Sequence, residues 1–343
     1  MYNAVMNTID KIVKYLRTKK AASGQEISEF LGISRQAVNK HLKALIQRGN
    51  VVKEGSTKGA VYKIAGKIKP AQRLKRRYIL KGLEEDRVFK EAELLLYLRQ
   101  NLRQNIFDIV NYAFTEILNN AIEHSQSKNC DVEIGLDQYH FNFVIRDYGI
   151  GIFHSIYTKF DLPDETAAIG ELIKGKTTTM KKKHTGEGVF FCSKSGDNVA
   201  FRSHKINLIF DSINRDVFVN EMRFIKGTEV KFSISRASKR NLEGIFKQYA
   251  PEEFDYRFEK TRVFVKLFQK EYVSRSEAKR LLSGLDKFKE IILDFKGVKS
   301  LGQGFVDEIF RIFQRQHPDI VIKTENLNPT IAIIIKHVVD NII

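Results

Sequence analysis

The sequence predicts a multidomain α+β protein, on three observations. Its 343 residues, 43% of them hydrophobic, are enough for two or three separate cores. The net charge of +17 is concentrated in residues 1–81, which carry 19 Lys or Arg against four acids, Asp10, Glu26, Glu29 and Glu54. The apolar periodicity also changes along the chain, from short helices, to a long helix followed by an alternating strand, to regular strand and helix alternation after residue 260. The expected division is therefore an N-terminal domain over 1–66, a basic linker over 67–82, a central domain over 83–236 and a C-terminal domain over 258–343.

Composition narrows the class. Cys130 and Cys192 have no paired spacing, which argues against a disulfide framework or a cysteine zinc site and fits a reducing cytoplasm. The first twenty residues are periodic, not uniformly apolar, so no secretion leader is expected. The apolar tail Ile331–Ile343 is broken by Lys336, His337 and Asp340 and is too short to span a bilayer. A membrane partner is not expected, and a basic N-terminal fifth on a nearly neutral chain is the electrostatic footprint of a nucleic-acid-binding module.

In the N-terminal domain, Ile9, Ile12, Val13 and Leu16 form the apolar stripe of a first helix. Ser23-Gly24-Gln25-Glu26 reads as a capping box opening a second, and Gly32 ends it. Ser34 caps a third helix that Gly49 stops, and two short strands, Val51–Glu54 and Ala60–Ile64, flank a glycine turn. Residues 1–66 thus resemble the winged helix-turn-helix domains of bacterial transcription regulators. The resemblance implies that the third helix enters the major groove of double-stranded DNA, with Ser34, Arg35, Gln36, Asn39, Lys40 and Lys43 at bases or flanking phosphates and Lys53 and Lys58 of the wing on the backbone. Between Ser34 and Lys63 the one acid is Glu54, which favours DNA over a protein partner. In the linker that follows, Arg73, Lys75, Arg76 and Arg77 add a further phosphate-holding cluster.

The central domain is built around Phe107–Ser125, whose Phe107, Val110, Phe114, Ile117, Leu118 and Ala121 recur at helical spacing. Glu116 and Asn120, four residues apart, share one face beside that stripe, where a carboxylate and an amide oxygen could hold a water and a hard cation. The strand His140–Asp147 runs into Tyr148-Gly149-Ile150-Gly151. Further on come His184-Thr185-Gly186-Glu187-Gly188 and Lys226-Gly227-Thr228-Glu229-Val230, the latter expected to open a strand. In this order the segments resemble the N box and three glycine boxes of the GHKL ATPases, the superfamily of gyrase-type, chaperone-type and histidine-kinase-type nucleotide domains.

That resemblance implies an α/β sandwich, a mixed sheet covered on one face by helices, that binds ATP and Mg2+. Asn120 matches the magnesium ligand and Glu116 the general base; Asp147 matches the acceptor for the adenine amino group, with Thr228 beside it. Gly149 and Gly151 match the turn beside the base, and Gly186, Gly188 and Lys183 the phosphate loop. The insert Phe153–Lys183 would be the lid. Glu84–Asn105 lacks the His, acid and later Pro of a phosphoacceptor helix, which argues against a histidine autokinase.

After a charged connector, Ala237–Arg257, strands and helices alternate to the end of the chain. With Ile291–Val298 running into Gly302-Gln303-Gly304-Phe305, this part resembles a STAS-like domain, the fold of anti-sigma-factor antagonists. It departs from them where they carry a phosphorylated Ser at the helix start, since the turn here reads Leu301-Gly302-Gln303-Gly304. The expected function is an ATP-binding, DNA-binding bacterial transcription regulator, compatible with a homodimer on paired half-sites. Two other readings share the same site: a serine/threonine kinase acting on a STAS or sigma-factor-type partner, and a scaffold that binds ATP without turnover.

Overall fold

A computed structural model gives the architecture, and the structure describes residues 8–47, 50–55, 60–65, 72–137, 139–176, 187–267, 272 and 274–340. The N-terminal domain opens with α1 (Thr8–Lys19), β1 (Ala22–Ser23), α2 (Gly24–Leu31) and α3 (Arg35–Gln47). β2 (Val51–Glu54) and β3 (Val61–Ile64) complete a three-stranded sheet in the order β1-β3-β2. Ser23 accepts from the Glu26 amide while Glu26 reaches back to the Ser23 amide, and Gly32 closes α2 in the left-handed region at φ 65°. Ser34 Oγ likewise accepts from the Ala37 amide at 3.2 Å. Ile12, Leu16, Ile27, Val38, Leu42, Leu45 and Val51 are buried together in a core of their own, as the apolar stripes require.

The central domain contains β4 (Gln72–Ile79), α4 (Glu85–Leu95), α5 (Leu98–Asn101), α6 (Gln104–His124), β5 (Asn129–Leu136), β6 (His140–Asp147), α7 (Ile152–Lys159) and α8 (Glu165–Lys174). It continues through α9 (Gly188–Ser195), β7 (Asn198–Asp211), β8 (Asp216–Ser235) and α10 (Leu242–Tyr249). β5 and β6 alternate buried and partly buried residues, and α6 buries the stripe that begins at Ile106 and ends at Ala121. Its Phe114 meets Phe143 of β6 edge-on at 5.4 Å, locking helix to sheet.

Four expectations are corrected here. Residues 72–79, expected within the linker, are the edge strand of the central sheet. β4 pairs with β5 over its whole length and buries Leu74. Three of its four cations meet acids of this domain: Arg76 pairs with Glu91 of α4, Arg77 with Asp131 of β5 at 2.6 Å and Lys75 with Glu133 of β5 at 3.5 Å. The sheet, ordered β4-β5-β6-β8-β7, is antiparallel throughout and not mixed. β7 and β8 form one hairpin whose second arm joins β6, so the helices after β6 return the chain to the far edge. The motif 226–230 consequently lies inside β8 instead of opening a strand. The connector 237–257 also holds α10, which buries Ile245 and Tyr249 against the core.

The C-terminal domain comprises β9 (Lys260–Phe264), α11 (Arg275–Leu282), β10 (Glu290–Asp294), α12 (Gln303–Asp307), a π-helical stretch Glu308–Phe313, α13 (Gln314–Gln316), β11 (Val321–Glu325) and α14 (Pro329–Asp340). Its three strands are parallel, ordered β11-β10-β9, with β10 wholly buried at the centre around the apolar residues Ile291, Ile292 and Leu293. The core of this domain is continuous with that of the central one. The seam is α8: the Lys174 ammonium, 2% exposed, donates to the Ser283 carbonyl at 2.6 Å and to Glu171 at 2.8 Å, and Thr261 donates to the Lys174 carbonyl at 2.6 Å. Burial lowers the Lys174 pKa, and Glu171 acts in the opposite direction. Among the described residues no helix is long and apolar enough to cross a membrane.

Candidate functional site

A cavity of about 360 Å³ lies between the helices and the sheet of the central domain. α6 supplies Glu116, Asn120 and His124 to its wall, the end of β6 supplies Asp147, α8 supplies Leu172, α9 supplies Gly188 and β8 supplies Thr228. The Asn120 side-chain nitrogen donates to the Glu116 carbonyl one turn back at 2.8 Å. That bond commits the nitrogen and keeps the amide oxygen as the atom for a ligand. Glu116 abuts α9: a Cβ on Gly188 would lie 2.0 Å from Glu116 Oε2, so the carboxylate occupies the space that the glycine vacates.

Asp147 is 5% exposed, and its Oδ1 accepts from the Gly149 amide at 2.9 Å and the Thr228 amide at 3.2 Å. Burial raises its pKa, and these hydrogen bonds oppose the rise. Thr228 is itself fixed, its hydroxyl accepting from the Ile152 amide at 2.9 Å. Gly151, at φ 86°, lets the chain leave β6 for α7 in a conformation that a side chain would resist. Gly149 answers a different need, because a Cβ there would sit 1.7 Å from the Ser125 carbonyl at the end of α6. The turn between them is braced from the sheet edge. Tyr148 donates to Asp131 at 2.5 Å, and Arg77 of β4 grips the same carboxylate with both arms. That grip holds the Asp131 pKa down to about 2.

The fold thus brings Glu116, Asn120, Asp147, Gly151, Gly188 and Thr228 around one cavity and sets Gly149 behind it. Lys183 and Gly186 lie outside the described residues, as do Lys181, Lys182 and the threonine run 177–179. Of the insert expected as a lid, α7 and α8 are described, and both line the cavity. Sequence reasoning passed over Gly227, although it stands in a quoted motif: at φ 78°, its Cβ would lie 2.3 Å from the Asp147 carbonyl. His124, at the end of α6, also lines the cavity.

On the N-terminal domain, Ser34, Arg35, Gln36, Asn39, Lys40 and Lys43 are all exposed along α3, and Lys53 is exposed on β2; Lys58 lies outside the described residues. Glu54, the one acid of this stretch, is paired with Lys63 across the hairpin at 2.5 Å. A cationic surface is left.

A family model described as an HTH domain matches residues 8–60, and one described as a STAS-like domain of unknown function (DUF4325) matches residues 277–332. Both matched segments lie outside the stretch that forms the cavity. No curated protein matches the chain.

Proposed function

We propose that this chain, with a helix-turn-helix domain at one end and a STAS-like domain at the other, is a DNA-binding regulator gated by Mg-ATP in the central cavity. The observation that carries the reading is the convergence of Asp147, Asn120 and Glu116 on one pocket. Asp147 is a buried carboxylate held by two backbone amides, able to accept from the adenine amino group, which guanine does not present. On the α6 wall of the same cavity, an amide oxygen and a carboxylate suit a magnesium ion and the water it orders. Asn120 would ligate Mg2+ and Glu116 would draw the proton from the attacking water, while Gly188 would let the α9 amides approach phosphate.

Two features of the fold favour gating. α8 places Leu172 in the cavity and Lys174 in the STAS-like domain, so a nucleotide that shifts this helix acts on both. A coupling of about 1 to 3 kcal/mol would make a useful switch. Because the STAS-like domain is already fastened to the helix beside the pocket, gating within the chain is favoured over phosphate transfer to a separate partner.

The test is DNA binding by the full-length protein, with and without Mg-ATP, on the DNA upstream of its own coding sequence. Affinity should change with ATP, and Asn120→Ala should abolish the change. Glu116→Ala should retain ATP binding and lose hydrolysis. Tight DNA binding that ignores ATP in the unmodified protein would overturn the gating.

A further inference from the structure

Next to Gly151 of the cavity wall, three side chains from separate elements meet. His154 of α7 directs Nδ1 at Glu165 Oε1, 2.9 Å away, and His204 of β7 directs its own Nδ1 at the same carboxylate, 2.9 Å from Oε1 and 3.0 Å from Oε2. All three ligand-type atoms lie within 4.8 Å of one another. Two imidazole nitrogens and one carboxylate converge on a point that none of the nucleotide chemistry uses.

We propose that His154, Glu165 and His204 form a site for a divalent transition-metal ion of the zinc type. Metal–nitrogen and metal–oxygen bonds of about 2.0 Å in a tetrahedron put ligand atoms about 3.3 Å apart, so the nitrogen–oxygen separations need to open by only a few tenths of an ångström. The donor set selects the ion: two imidazoles and one carboxylate suit zinc and its neighbours, whereas magnesium and calcium take oxygen. In the metal-free protein both Nδ1 atoms lie within hydrogen-bond distance of the Glu165 carboxylate, and a bound ion would take the place of those contacts.

The scaffold presents these groups deliberately. His204 sits at an irregularity in the β7–β8 pairing, in the left-handed region at φ 50°, and its ring stacks on Phe224 at 5.0 Å. Such a conformation costs energy in a non-glycine residue and aims the side chain out of the regular alternation. Gly151 clears the space behind it, since a Cβ there would come within 3.1 Å of His204 Nε2. Glu165 is the first residue of α8, fixed by the Asp164 cap, which accepts from the Ala167 amide at 2.8 Å. His154, 43% exposed, faces solvent, from which further ligands of the ion can come. The ion would tie α7, α8 and β7 together beside Gly151 of the cavity wall. The site stands on its own geometry and does not depend on the cavity's holding ATP.

Full-length protein would be stripped with a chelator, equilibrated with zinc chloride alone and, separately, cobalt chloride alone, then dialysed. Metal content, the visible absorption of Co(II) and thermal unfolding would be measured. The expected result is one ion per chain, Co(II) bands diagnostic of nitrogen and oxygen ligands, and a melting temperature raised by zinc. His204→Asn and Glu165→Gln should each weaken zinc binding at least about tenfold. His154→Asn, at the most exposed of the three positions, guards against a folding defect: it should melt like the metal-free protein and lose the zinc-induced rise. Failure to retain a stoichiometric ion, or retention undiminished in His154→Asn and His204→Asn, would overturn the proposal and leave a hydrogen-bonded cluster.

Discussion

Replacing Asp147 with Asn separates the two things that this carboxylate does. Its Oδ1 accepts from the Gly149 and Thr228 amides, and an Asn oxygen can take over both bonds in the same place. The second oxygen becomes an NH2 group, a donor where the adenine amino group also donates. One hydrogen bond to a charged acceptor is then lost, at about 1.5 to 3 kcal/mol, which corresponds to a rise in the ATP dissociation constant of about 10- to 150-fold. Stability should move the other way or not at all, because the buried charge whose pKa is raised by its surroundings is removed. Titration calorimetry with ATP and GTP, beside thermal unfolding of the nucleotide-free protein, reads both. Unchanged ATP affinity in a well-folded Asp147→Asn protein would refute the assignment of Asp147 as the adenine reader. A loss of affinity accompanied by a collapse in melting temperature would show that the carboxylate is there to hold the turn.

Three other outcomes follow from the geometry. Gly188→Ala places a methyl 2.0 Å from Glu116 Oε2, and because a carboxylate at the end of a flexible side chain can swing aside, ATP hydrolysis should fall about 100-fold while the melting temperature changes little; an undiminished rate would clear Glu116 of its role as base. Lys194, ringed by Phe190, Phe210, Tyr249 and Phe264, has its pKa lowered from 10.5 to about 7 by burial and then by Arg262. The unfolded chain therefore binds the extra proton between those values, so stability should rise from pH 7 toward 10.5, and the slope of melting temperature against pH should flatten in Lys194→Met. Arg35→Ala and Lys40→Ala should weaken DNA binding by about 1 to 3 kcal/mol at a base contact, and by less with a shallower salt dependence at a phosphate; unchanged binding in both would mean that α3 is not the reading helix.

Much of the chain was legible because the signals are local. A capping box needs only Ser23 and Glu26, three residues apart, and the helix it opens begins where the sequence says. Helical spacing in α6 and alternation in β6 likewise announce themselves within a few residues, and with them the shared face of Glu116 and Asn120 and the position of Asp147 at a strand end. The basic surface of α3 was equally plain, since exposed cations there have few acids to meet. Partnership across the fold was not legible. Residues 72–79 are as basic as a linker, and only pairing with β5 turns Arg77 into a brace for the Tyr148 turn.

By itself, the sequence determined which residue types stand at helix faces, caps and strand ends, because propensity, periodicity and capping act over one or two turns of chain. The tertiary structure alone decided the order of the strands, the antiparallel sheet, the insertion of Lys174 into the C-terminal domain and the meeting of His154, Glu165 and His204, which lie 11 and 39 residues apart. These are set by the packing of whole layers, as in the choice of which arm of the β7–β8 hairpin joins β6, and are written in no single stretch of residues.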